Sequence, residues 1–184
     1  MIEPCTFVIF GATGNLSQNK LLPALYHLEA AARLPAGTGV VCFGRRECNT
    51  EQWREEVASI LKTHARGGVD AEVFTHFCTR IHYFQGDMTD VQAYQSLKEM
   101  LAAGQHFPEN KIFYLAIRPA EYGAVSEHLA SVGLHEEDGG WRRLVVEKPF
   151  GYDIESAHAL EKRLHQHFSE QQIYRIDHYL GKGT

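Results

Sequence analysis

Near its start the chain reads Cys5-Thr6-Phe7-Val8-Ile9-Phe10-Gly11-Ala12-Thr13-Gly14-Asn15-Leu16-Ser17, an apolar run, two spaced glycines and then a segment of helical period. A buried strand, a tight glycine turn and a helix start form the unit from which parallel α/β sheets are wound. The glycines let main chain approach a diphosphate, with the helix N-terminus aimed at its charge. Ser17 stands where the usual fingerprint has its third glycine, so on this stretch alone a tight turn without a ligand competes with a phosphate loop.

Outward from that stretch, apolar runs recur at Val40 to Phe43, Ile81 to Phe84, Ile112 to Ile117 and Leu144 to Val146, with a further candidate at Ile173 to Ile176. They alternate with helical segments, which predicts an α/β fold: a doubly wound, mostly parallel, Rossmann-like sheet of about six strands with helices on both faces. The first helix carries Leu21, Leu25 and Leu28 on one stripe, and Pro23 falls in an early turn where it is tolerated. The second starts at Asn49 or Thr50, with Asn49 and Gln52 at capping-box spacing and Trp53, Val57, Ile60 and Leu61 as its stripe. Arg66-Gly67-Gly68 stops or interrupts it. A third runs from about Asp90 through Tyr94, Leu97 and Leu101 to Gly104, and a fourth from about Ala120 through Val125 and Leu129 to Gly133. The fifth takes Asp153 as N-cap and places Ile154, Ala157, Leu160, Leu164 and Phe168 at core spacing.

The bulk composition narrows the function classes. With 184 residues the chain suits one α/β domain over 1–184, and a net charge of −5 without long basic runs argues against nucleic acid or membrane as a partner. No apolar stretch is of spanning length and no signal-type core follows Met1, so a cytoplasmic address is expected. Cys5, Cys42, Cys48 and Cys78 form no C-x-x-C pair and read as reduced, with Cys5 and Cys42 in the core. The histidines show no metal spacing: His165 and His167 point to different sides of a helix, and no metal site is expected.

At the end of the second strand stands Gly44-Arg45-Arg46, where an NAD-specific fold carries Asp or Glu for the ribose hydroxyls. Two guanidinium groups there suit a 2′-phosphate, whereas the pair taken alone could be a solvated strand end. Together with the glycine loop it favours NADP.

Glu147-Lys148-Pro149-Phe150-Gly151 follows the fifth strand, and Arg175-Ile176-Asp177-His178-Tyr179-Leu180-Gly181-Lys182 lies near the end. With the glycine loop, Arg45 and Tyr114-Leu115-Ala116 in order, these strings make nearly the whole chain resemble the NADP-binding domain of the glucose-6-phosphate dehydrogenases. The resemblance implies oxidation of glucose 6-phosphate to its lactone in the pentose phosphate pathway, by a homo-oligomeric enzyme. It assigns Gly11, Ala12, Thr13, Gly14, Asn15, Leu16 and Ser17 to the dinucleotide loop and Arg45 to the 2′-phosphate, with Gly86, Asp87 and Tyr122 as further cofactor contacts. Lys148 would touch both cofactor and sugar, Asp177 would orient the catalytic base, and His178, Tyr179 and Lys182 would hold the 6-phosphate. Pro149 resembles a family proline that is cis. The base itself would be a histidine beyond position 184, in a second α+β domain, so the chain is read as truncated and without useful turnover alone.

The sequence departs from the family pattern at Thr13, Asn15 and Ser17, and at Arg118, where the first of two prolines is usual; solvent is the expected place for that side chain. Two other readings remain: a non-catalytic NADP-binding or assembly module, and an atypical short-chain reductase using Tyr94-x-x-x-Lys98, although that pair falls in the third helix rather than after the fifth strand.

Overall fold

The computed structural model describes residues 2–104 and 107–177. These residues form six strands: β1 (Thr6–Phe10), β2 (Gly39–Gly44), β3 (Ile81–Gln85), β4 (Lys111–Leu115), β5 (Arg142–Glu147) and β6 (Ile173–Ile176). All pair in parallel, in the order β3-β2-β1-β4-β5-β6. The connection from β3 returns across the sheet to β4, so the winding reverses between β1 and β4, the point where such sheets open a crevice at their carboxyl ends.

Alternation along each strand sends side chains into two cores. Val8 and Phe10 of β1 join Phe113 and Leu115 on one face, under α4 (Val91–Ala103), α5 (Pro119–Ser131) and α6 (Ile154–Leu164). Ile9 joins Val40 and Cys42 on the other, under α1 (Leu22–Ala30), α2 (Thr50–His64) and α3 (Ala71–Arg80). A π-helical turn, Ser17–Leu21, leads into α1, and a short 3-10 turn, Glu170–Gln172, precedes β6.

The local signals place most elements. Asn49 caps α2, its side chain accepting from the Gln52 N–H while the Gln52 carbonyl oxygen accepts from the Asn49 N–H. Asp90 caps α4, Asp153 caps α6, and Gly133 follows α5 with φ of +76°. The Lys148–Pro149 peptide is cis, as the resemblance implies.

Four packing expectations need correction. The segment after Gly67-Gly68 is a separate helix, α3, with Asp70 accepting from the N–H groups of Glu72 and Val73. Both glycines have positive φ, so the pair ends α2. Leu28 lies at the solvent edge of the α1 stripe, because that helix rests on the sheet through Leu22, Leu25 and Tyr26. Ile154 is 76% exposed: it is the first residue of α6, and the helix packs through Leu164 instead. Cys5 precedes β1 and is half-buried, while Cys42 is sealed in the core, its thiol pushed up to about 12 by burial.

Candidate functional site

Five of the six strands carry at their carboxyl ends residues assigned to the site in the sequence: Gly11 after β1, Arg45 after β2, Gly86 and Asp87 after β3, Lys148 after β5 and Asp177 after β6. Gly11 has φ of +79°, and a Cβ built on it would stand 2.5 Å from the Ala116 carbonyl oxygen and 2.8 Å from Ile117 Cγ2. The turn after β1 is therefore pressed against the loop after β4, and only glycine fits the seam. Ala12 is buried and its N–H donates to the Phe43 carbonyl at 3.1 Å, which locks the turn to β2.

Ser17, the residue in the place of the third glycine, is fully buried, and its hydroxyl donates to the Gly11 carbonyl at 3.0 Å. The Gly14 N–H donates to the same carbonyl at 2.9 Å, so the loop is tied from both sides. Gln18 Nε2 reaches the Thr13 carbonyl at 3.2 Å. Asn15 is exposed, Leu16 is partly buried against the core, and the first N–H groups of the helix, which lack intrahelical acceptors, lie along this turn.

Arg45 is exposed and makes no hydrogen bond or salt bridge among the described residues. Arg46 differs: its guanidinium is paired with Glu56 of α2, and its carbonyl accepts from the Tyr83 hydroxyl at 2.9 Å. The expectation of two arginines for one phosphate thus narrows to Arg45. Asp87 turns back on its own loop, accepting from the N–H and hydroxyl of Thr89 at 2.8 Å each. Those bonds, with a smaller contribution from Arg45, hold its carboxyl below the usual carboxylate range. Gly86 is bound to Gly44, its N–H donating to the Gly44 carbonyl at 2.9 Å.

Tyr122 does not face the crevice. It is 2% exposed, and its phenol donates to the Glu147 carbonyl at 3.2 Å and accepts from the Glu147 N–H at 3.3 Å. Its position inside α5 turns it onto the end of β5, where it is a brace for the strand that delivers Lys148.

Lys148 and Asp177 come together. The Lys148 N–H donates to the Ile176 carbonyl at 3.1 Å, extending the β5–β6 pairing by one step, and its ammonium meets Asp177 Oδ2 at 3.1 Å. Both side chains reach solvent. Behind them the buried Glu147 carboxylate accepts a short hydrogen bond from the Tyr114 phenol of β4. Burial, and then this bond to a carboxylate, push the Tyr114 phenol well above its ordinary range. Glu147 and Tyr114 both lie within quoted motifs, yet nothing in the sequence indicated that they pair across neighbouring strands. Glu121 also escaped notice, although its spacing from Arg118 is that of a capping pair. His178, Tyr179 and Lys182 lie outside the described residues.

The short-chain reductase pair is not arranged for catalysis. Tyr94 is buried, its phenol donates to the Met88 carbonyl at 2.9 Å and burial raises its pKa, while Lys98 donates to the Val132 carbonyl at 2.7 Å. Among the described residues no cluster of three or more His, Cys, Asp or Glu could hold a metal, and no helix is long and apolar enough to cross a membrane. A dinucleotide fits what is present: a glycine-only seam, a helix start and an uncommitted guanidinium at the second strand.

Comparison with known proteins agrees. The model of the glucose-6-phosphate dehydrogenase NAD binding domain matches residues 8–184. Glucose-6-phosphate 1-dehydrogenase of Aggregatibacter actinomycetemcomitans is 42% identical over 185 residues, covering 99% of this chain and 37% of the relative. That of Treponema pallidum is also 42% identical, over 187 residues covering 100% of this chain and 36% of its own. A solved glucose-6-phosphate dehydrogenase in complex with glucose 6-phosphate superposes with a TM-score of 0.86 at 34% identity, covering 98% of this chain and 37% of its own. The Mycobacterium avium enzyme gives a TM-score of 0.84 at 33% identity, covering 97% of this chain and 37% of its own. The chain thus spans little more than a third of the relatives it matches, and it belongs to the glucose-6-phosphate dehydrogenase family, within its NAD binding domain.

Proposed function

We propose that this chain is the cofactor-binding part of an NADP-dependent glucose-6-phosphate dehydrogenase, which oxidises D-glucose 6-phosphate to 6-phosphoglucono-1,5-lactone. The observation that carries the proposal is the order of groups along the carboxyl rim. Arg45, the Gly11–Ser17 loop and the Lys148–Asp177 pair follow one another across β2, β1, β5 and β6. A dinucleotide laid along that rim has its 2′-phosphate at Arg45, its pyrophosphate on the loop and its nicotinamide toward Lys148.

Bound NADP+ supplies the hydride acceptor, and the protein's task is to bring the sugar C1 to it. Lys148 sits where one ammonium can contact both ligands, and Asp177 keeps it there. His178, Tyr179 and Lys182 are assigned to the 6-phosphate, a dianion suited to an imidazole donor, a phenol and a compact ammonium. Asp177, bonded to Lys148, orients the base that takes the C1 hydroxyl proton rather than being that base. The base is assigned to the larger protein, which is cytoplasmic and homo-oligomeric, and the isolated chain has no useful turnover.

Titration of NADPH fluorescence in the presence and absence of glucose 6-phosphate tests this. The expected result is NADPH binding that glucose 6-phosphate alters, without NADPH production from NADP+ and millimolar sugar phosphate. Cofactor binding indifferent to the sugar would favour the non-catalytic module, and full turnover would overturn the assignment of the base elsewhere.

A further inference from the structure

The loop after β4 carries an arginine that the dinucleotide assignment leaves unused. Arg118 directly follows Ala116 and Ile117, the two residues against which Gly11 is packed with no room for a Cβ. Its side chain is 83% exposed at the head of α5, and among the described residues Nε and Nη2 reach only Glu121 of the same helix, at 3.3 and 3.0 Å. The Glu121 carboxylate also accepts from the Arg118 N–H at 3.1 Å, while the Glu121 N–H donates to the Arg118 carbonyl at 2.9 Å.

Glu121 has a second cationic neighbour. Arg118 holds its carboxyl below the usual range, and Arg45 adds to the effect from the end of β2. Arg45 and Arg118 thus stand after β2 and β4, on either side of the point where the sheet reverses. Arg45 has no hydrogen-bond acceptor among the described residues, and Arg118 holds Glu121 through a two-pronged pair that is open to solvent. Such a pair exchanges readily for a better anion, and a pyrophosphate offers more charge and more acceptor atoms than one carboxylate.

We propose that Arg118 is a second phosphate-binding arginine, which leaves Glu121 to contact the pyrophosphate of the dinucleotide seated on the Gly11–Ser17 loop. The inference rests on the dinucleotide reading of that loop. It commits Arg118 to the pyrophosphate, because its chain neighbours abut Gly11, and leaves the 2′-phosphate to Arg45. Glu121 then acts as an internal competitor for the arginine.

The test is a set of NADPH and NADH titrations by nicotinamide fluorescence on the purified chain. Arg118→Ala should weaken both by the same factor, about fivefold at roughly 50 mM salt, with the difference largely lost near 500 mM. Glu121→Gln keeps the cap and should tighten both by about twofold, because the competing charge is gone. Affinities unchanged in Arg118→Ala would overturn the assignment, as would a loss confined to NADPH, which would place the contact on the 2′-phosphate. A wild-type chain that binds neither nucleotide would remove the dinucleotide reading and this inference together. Wild-type binding with an unaffected variant would remove only the inference.

Discussion

The proposed cofactor end and the proposed sugar end of the carboxyl rim are held by different means. At the cofactor end the turn after β1 is part of the core: Ala12 and Ser17 are buried, Gly11 is pressed onto Ala116, and the hydroxyl of Ser17 closes the loop from inside. At the other end Lys148 and Asp177 are both partly exposed and meet in an ion pair. What lies beneath them is better secured, with Tyr122 on the Glu147 backbone and Tyr114 on its carboxylate. Folding thus organises the glycine loop, whereas the Lys148–Asp177 pair stands above the brace and contributes little to stability. Substitutions at the first end should be felt in the fold, and at the second mainly in ligand response.

The largest effect is expected at Gly11. Alanine there would need a left-handed backbone and would drive its Cβ to 2.5 Å from a carbonyl oxygen, so the β1–β4 seam must open. The cost should be about 3–5 kcal/mol, read as a lower denaturant midpoint. A midpoint within experimental error of the wild type would show that the loop yields easily and would erase the contrast between the two ends.

Arg45 comes next, and acts on affinity alone. Arg45→Ala should cost about 2 kcal/mol of NADPH binding, the size of a charge-assisted phosphate contact, and leave NADH untouched. Arg46→Ala is the control, since that guanidinium is already paired with Glu56. Equal losses in the two variants would restore the two-arginine clamp expected from the sequence.

How far each end was legible in the sequence follows from the same contrast. Gly11, Arg45 and Lys148 could be read because a glycine turn, a basic strand end and a conspicuous string are local patterns, and the parallel sheet follows from the spacing of apolar runs. The brace made by Tyr114, Tyr122 and Glu147 could not, because it joins neighbouring strands and a helix that are remote in sequence. For the same reason Tyr122 was assigned to the cofactor and Arg46 to the phosphate, where packing turned one inward and gave the other an acidic partner. The separate helix after Gly68 went unresolved since its N-cap, Asp70, stands so close behind the glycines that end α2.

Ser17 should give a smaller effect than Gly11 at the same end. Ser17→Ala removes a buried hydroxyl donor and leaves the Gly11 carbonyl with the Gly14 N–H, so the loop keeps one of its two ties. A loss of about 1 kcal/mol in stability is expected, with weaker binding of NADPH and NADH alike. Stability unchanged by the substitution would mean that the hydroxyl merely fills the space of the fingerprint's missing glycine.

The smallest effect on stability, and the most telling for function, belongs to Lys148. Its ion pair with Asp177 is partly open to solvent, and pairs of that kind contribute between nothing and about 1 kcal/mol. The backbone bond from Lys148 to Ile176 survives substitution, so β5 and β6 stay in register. Lys148→Ala should therefore move the denaturant midpoint by no more than about 0.5 kcal/mol in energy while abolishing the influence of glucose 6-phosphate on NADPH binding. A large drop in stability would mean that the sugar end is as much a part of the core as the cofactor end. Retained coupling would mean that the two ligands communicate through groups other than the ammonium proposed to contact both.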